Sequence, residues 1–273
     1  MTPAENAELA LLLEASAEPK PGNVTPSSDH DDTTYEHYLA SAVGCRSALD
    51  AVARGDVGIG EGFREAVEGA HRHGGGNTCF GSLLLLVPLV RAAADGDVED
   101  AVDVARETTV DDAAEFYRAF DAVEVNLGGP PAADLPDARS PREAAEAVVE
   151  RGLTLHEVME KCAGGDDVAR EWTSGFDVCF ERADYVVAAY EETGDVELAI
   201  ASAYVDLLGS RPDGHVARVH GDHVARDVVD MTRNLDVVAL DRRLRHDGVN
   251  PGSTADVVCA ATYVALERGG VEL

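Results

Sequence analysis

The chain has 273 residues, 45% of them hydrophobic, enough to bury a large core in one domain or two. Its formal charge is −30, from 52 acidic and 22 basic residues. That balance excludes nucleic acid and anionic membrane surfaces as partners, because both require a basic footprint.

The acid is spread along the chain, as in Asp97-Val98-Glu99-Asp100 and Glu191-Glu192, and only Lys20 and Lys161 are lysine. Such a coat repels itself in moderate salt and is screened in high salt, which suggests the cytoplasm of an extreme halophile. The five cysteines form no C-x-x-C pair and suit buried thiols in a reducing compartment. The N-terminus is an acidic helix rather than a secretory signal, and the longest apolar run, Leu83 to Val90, is too short to span a bilayer.

In chain order, the periodicity predicts helices over 4–17, 34–54, 60–73, 78–94, 97–106, 110–122, 141–151, 155–163, 166–192, 195–208, 214–231, 234–247 and 254–268. Thr33-Thr34-Tyr35-Glu36 and Thr154-Leu155-His156-Glu157 read as capping boxes, and Ser140-Pro141 places proline at a first helical position. Gly55, Gly74, Gly152, Gly164, Gly194 and Gly209 read as helix stops. Pro88 is expected to kink the fourth helix. Asn126 to Ser140 is the best linker candidate. The fold class is all-α: a single globular domain of about a dozen helices covering residues 1–273.

Three Gly/Asn-rich turns stand just before apolar helical stretches. They are Pro19-Lys20-Pro21-Gly22-Asn23-Val24-Thr25, Gly74-Gly75-Gly76-Asn77-Thr78 and Asn250-Pro251-Gly252-Ser253-Thr254-Ala255-Asp256. Each offers backbone N–H groups, an amide and a hydroxyl near a helix N-terminus, chemistry that suits phosphate oxygens. In a chain that avoids lysine, Lys20 within such a turn has a task, whereas Lys161 reads as a surface residue. Ser27-Ser28-Asp29-His30-Asp31-Asp32 adds three carboxylates and an imidazole, oxygen ligands that suit Mg²⁺ shared with substrate phosphates. The plainer explanation is an acidic cap at a helix start, and for Asp256 and for Asp166-Asp167 the helix dipole alone accounts for the charge. The stretch Arg211 to Gly221 concentrates Asp213, His215, Arg218 and His220, a set for an anionic ligand or for local ion pairs. No Walker-A loop, Rossmann fingerprint, nucleophile elbow or H-E-x-x-H motif is present. Residue types and spacing therefore reach a helical, Mg²⁺-dependent, phosphate-binding enzyme.

The same residues resemble the triphosphoribosyl-dephospho-CoA synthase family. The likeness runs through Leu12-Leu13-Glu14, the Lys20 turn, His30, Asp32, Ser41-Ala42, Gly76-Asn77-Thr78, Gly81, Pro212-Asp213, Arg218, Gly221 and the closing Asn250-Pro251-Gly252 with Thr254-Ala255-Asp256. Cys79 and Phe80 replace the His and Lys that follow this turn in the citrate-lyase type, and no Arg-Gly-Glu-Ala motif occurs. Tyr117-Arg118-Ala119-Phe120 and Leu155-His156-Glu157-Val158-Met159 are instead similar to an archaeal and methylotroph branch.

The resemblance implies transfer of a triphosphoribosyl group from ATP to 3′-dephospho-CoA, or a related acceptor alcohol, with release of adenine. Lys20, Gly22, Asn23, Gly76, Asn77 and Thr78 are then assigned to the triphosphate, with Asn250, Gly252 and Thr254 completing the pocket. Mg²⁺ is assigned to Asp32 with Asp29 or Asp256, the base is Asp213 or Asp32, and Arg218 and His220 hold the second anionic substrate. Lys20→Ala is expected to abolish turnover with helicity intact. A homodimer is left open. The rival readings are a Mg²⁺-dependent hydrolase of N-glycosidic or ADP-ribosyl bonds, a nucleotide-binding protein without turnover, and a helical scaffold whose turns are only caps.

Overall fold

The computed structural model describes residues 1–128 and 134–272; residues 129–133, inside the expected linker, lie outside them. The helices are α1 (Pro3–Ser16), α2 (Tyr35–Arg54), α3 (Ile59–Ala70), α4 (Phe80–Asp95), α5 (Ala101–Arg106), α6 (Val110–Arg118), α7 (Pro141–Arg151), α8 (Leu155–Cys162), α9 (Asp167–Ser174), α10 (Asp177–Thr193), α11 (Val196–Ser210), α12 (Gly214–His220), α13 (Asp222–Asn234), α14 (Val237–His246) and α15 (Gly252–Glu267). Three short 3₁₀ turns join them, and no strand occurs among the described residues.

α15 and α4 form the centre. From Ser253 to Ala265 all but Asp256 of α15 is buried, and so is Ser82 to Val90 of α4. Both lack a polar face because neighbours surround them: α1, α4, α10 and α11 pack against α15, and α1, α2, α3 and α5 pack against α4. One continuous hydrophobic core joins all these layers. α2 and α3 cross at Gly44 and Gly69, where a Cβ on either would lie 2.3 Å from the other's carbonyl oxygen. Only glycine permits that approach. Among the described residues no helix is long and apolar enough to cross a membrane.

α4 runs continuously through Pro88. The missing N–H at position 88 leaves the Leu84 carbonyl without its helical donor, and the buried Trp172 indole supplies one at 3.0 Å.

Several local expectations hold. Thr154 and Glu157 form the reciprocal capping box, at 3.2 and 2.8 Å, Pro141 opens α7, and Gly55, Gly152 and Gly194 end helices with left-handed backbone.

Others need correction. The box at α2 begins at Thr34, so its third helical residue is His37 rather than Asp or Glu: the His37 Nδ1 accepts from the Thr34 N–H at 3.1 Å. The expected helix 166–192 is two helices, broken at Gly175 and Phe176, whose φ is +59°. The buried Glu171 carboxylate stabilises the break by accepting from the Cys179 N–H at 2.9 Å. The expected 214–231 also divides, at Gly221 with φ +93°. Gly209 does not end α11, which continues to Ser210 while the Gly209 carbonyl accepts from Arg233 at 2.7 Å. All five cysteines are unpaired thiols, Cys162 alone being only half-buried.

Candidate active site

The first and last turns meet directly. Asn23 Nδ2 donates to Asn250 Oδ1 at 3.3 Å. Gly22, at φ +77°, lies so close that a Cβ there would be 2.7 Å from the Val249 carbonyl. α14 clamps the Lys20 turn: Asp241 accepts from the Gly22 N–H at 2.9 Å, and Arg245 holds Asp241 at 2.9 Å and donates to the Asn23 carbonyl at 2.5 Å. From α11, the buried Tyr204 hydroxyl donates to the Pro21 carbonyl at 2.9 Å. Every backbone group so fixed belongs to a turn with no secondary structure of its own.

Lys20 is 2% exposed, and its ammonium sits 2.5 Å from Glu14 Oε1 in α1. Lys161, by contrast, is a surface residue paired with Asp134 at 2.5 Å. The difference in burial separates the two lysines as their settings in the sequence suggested.

The second turn adjoins the acidic segment that follows the Lys20 turn, and the start of α4 beyond it meets the third turn, in each case at a carboxylate. A Cβ at Gly76 would lie 2.7 Å from Asp32 Oδ2, and the Gly76 N–H donates to the Asp32 carbonyl at 3.1 Å. A Cβ at Gly81 would lie 2.2 Å from Asp256 Oδ2, and Ser82 donates to Asp256 Oδ1 at 2.6 Å. Asn77 Oδ1 accepts from the Phe80 N–H at 3.2 Å, which secures the start of α4. The segment from Gly76 to Ser82 thus spans from Asp32 to Asp256. Burial holds the Tyr38 phenol well above its usual range, and the carboxylates of Glu14, Asp256 and Asp32 push it the same way. One hydroxyl feels all three.

Asp213 is 1% exposed and has both oxygens engaged. Oδ1 accepts from the Val216 N–H at 2.9 Å, and Oδ2 accepts from the N–H and the hydroxyl of Thr254, each at 2.7 Å. It therefore caps α12 and ties it to α15, an arrangement that leaves little room for the expected base. Burial raises its pKa to about 6. Asp256 rises further, to about 7, through burial and then the nearby Glu14 charge, against the lowering bond from Ser82.

Asp29 stands apart from this set. It is exposed, and its carboxylate accepts from the Tyr35 N–H at 2.9 Å, a cap for α2. Among the described residues no three of His, Cys, Asp and Glu gather as a metal-binding group, so Asp29, Asp32 and Asp256 do not form a protein-only centre. Arg218 is committed to Asp166 and crowds Gly128, so it is not a free cation. His220 is half-buried at the end of α12, and Gly252 lies against His215 at the start of α15.

Tyr38, Ser82, Asp241 and Arg245 stand at this candidate site and escaped the reading of the sequence, which named Glu14 only as part of the family likeness. Glu14 carried a signal, as an acidic residue directly after the apolar run Leu11-Leu12-Leu13 of α1.

Residues 1–272 match the family described as ATP:dephospho-CoA triphosphoribosyl transferase. Among solved structures, the chain is similar to a protein from Archaeoglobus fulgidus assigned as a triphosphoribosyl-dephospho-CoA synthase. The two share 28% identity, with a TM-score of 0.73 over 86% of this chain and 99% of that one. No curated protein matches.

Proposed function

We propose that this chain, which belongs to the ATP:dephospho-CoA triphosphoribosyl transferase family, carries out its transfer where the three turns meet. The reaction joins the 2′-hydroxyl of dephospho-CoA to the anomeric carbon of ATP. The bond from that carbon to adenine breaks, the hydroxyl proton leaves to a base, and adenine departs with a proton. The observation that supports this location is the Asn23–Asn250 contact, with Gly76 on Asp32 and Gly81 on Asp256 drawing in the middle turn.

Lys20 and the first and third turns take the triphosphate. Asp256 is the base, in preference to Asp213. Its pKa of about 7 suits proton acceptance near neutrality, and Oδ2 faces the Gly81 backbone while Oδ1 is held by Ser82. Asp213 positions α12 and the Thr254 end of α15. Mg²⁺ would be held by Asp32, whose exposed hard oxygens beside Gly76 leave the remaining positions to phosphate oxygens and water. When bound, it supplies charge neutralisation on the triphosphate, which a protein of charge −30 needs to attract an ATP-like anion.

The same surface supports a cytoplasmic protein that works in high salt, as in a halophilic archaeon. Incubation with ATP, Mg²⁺ and dephospho-CoA in concentrated KCl, followed by mass spectrometry, tests the reading. Adenine together with the triphosphoribosyl adduct supports it. Adenine without adduct points to hydrolysis, and neither product ends it.

A further inference from the structure

Ser41 sits in α2, 1% exposed, with four polar neighbours around one hydroxyl. The His37 and Ala70 carbonyls lie at 2.9 and 3.1 Å, His73 Nε2 at 2.9 Å and Thr78 Oγ1 at 2.7 Å. The direction of each bond follows from counting protons. The Gly75 N–H donates to His73 Nδ1 at 2.9 Å, so in the neutral ring the proton is on Nε2. Nε2–H must then donate to Ser41. The two carbonyls can only accept, so the one Ser41 proton goes to them. Thr78 is left to donate its own proton to Ser41, a stronger acceptor than the Cys79 sulfur at 3.6 Å.

We propose that Ser41 is a positioning residue for the middle turn, accepting from both His73 and Thr78 and holding Thr78 with its lone pairs toward the site. Toward a bound nucleotide Thr78 is then an acceptor. It takes a ligand N–H, O–H or cation rather than a phosphate oxygen, which revises the role expected for it. His37 supports the arrangement: its ring stacks on His73 at 4.7 Å, with its own Nδ1 occupied by the Thr34 N–H. The inference rests on the location proposed above for the reaction, but its first test does not need the reaction.

In ligand-free protein labelled with ¹⁵N-histidine, NMR should show His73 as the Nε2–H tautomer, with a slowly exchanging ring proton. In Ser41→Ala that proton should exchange fast. Detection of the Nδ1–H tautomer in the native protein overturns the proposal whatever the protein catalyses. In steady-state assays, Ser41→Ala and Thr78→Val should each raise KM for ATP roughly tenfold, the loss of about one hydrogen bond. The double variant should be no worse than either single one, because both act through the same bond. Additive effects, or a Ser41→Ala variant with unchanged KM and unchanged proton exchange, reduce Ser41 to ordinary packing.

Discussion

The indole N–H of Trp172 donates to the Leu84 carbonyl, whose helical partner is missing because proline stands four residues on. A buried carbonyl without a donor costs on the order of 1–3 kcal/mol. Trp172→Phe should therefore destabilise the protein by at least that amount, read from denaturant melts. In a Pro88→Ala background the restored N–H competes for Leu84, and the same Trp172→Phe change should cost less. Equal losses in both backgrounds would show that the indole bond is not what sustains α4 through its proline.

Lys20 and Glu14 form a buried pair, so truncating the lysine leaves an uncompensated carboxylate. Removing one partner of such a pair typically costs about 3–5 kcal/mol. Lys20→Ala is thus expected to lose stability as well as turnover, a correction to the outcome expected from the sequence. The double variant Glu14→Gln/Lys20→Met should recover much of the stability and none of the activity. Normal turnover in that double variant would remove Lys20 from triphosphate binding.

Burial, then the Glu14 charge, raises Asp256 to about 7 from an ordinary value of 3.8. A raised folded pKa means that the native state holds the proton more tightly. Its contribution to stability is complete below about pH 4 and is lost as pH rises through about 7. Asp256→Asn removes that slope. In urea melts at constant KCl, variant and native protein should match below about pH 4, and the variant should be the more stable at pH 8. A stability difference of the same size at both values would contradict the assignment.

Gly81 packs its Cα against Asp256, and a methyl there would stand 2.2 Å from Oδ2. Gly81→Ala must turn the carboxylate. Misplacing a reacting group by about 1 Å can cost on the order of 10²-fold, and kcat should fall accordingly while the melting temperature changes little. Undiminished kcat would place Asp256 outside the reaction.

A charge of −30 spread along the chain predicts that the melting temperature climbs steeply as KCl increases. Screening shortens from about 10 Å at 0.1 M to about 3 Å at 1 M salt, which relieves repulsion among exposed carboxylates. Thermal melts across that range, with ATP absent, provide the check. A flat or falling curve would show that the acidic coat is not an adaptation to salt.

Taken alone, the sequence determined the helical class, most helix positions and the three turns, because these depend on local signals. Apolar periodicity, capping residues such as Thr154 with Glu157, and proline or glycine at the ends act within a few residues of themselves. It also marked Lys20, since of only two lysines in an acidic, arginine-using chain it alone stands in a Pro/Gly turn. Tertiary structure decided what those residues touch. That Arg245 and Asp241 clamp a turn more than 200 residues away and that Thr254 occupies the Asp213 carboxylate are pairings between distant segments, and Glu14 meets Lys20 only because the chain folds back after α1. Trp172 likewise completes a helix interrupted by a proline 84 residues earlier. Burial strength and hydrogen-bond direction arise only when such segments pack, so no pattern along one stretch of chain encodes them.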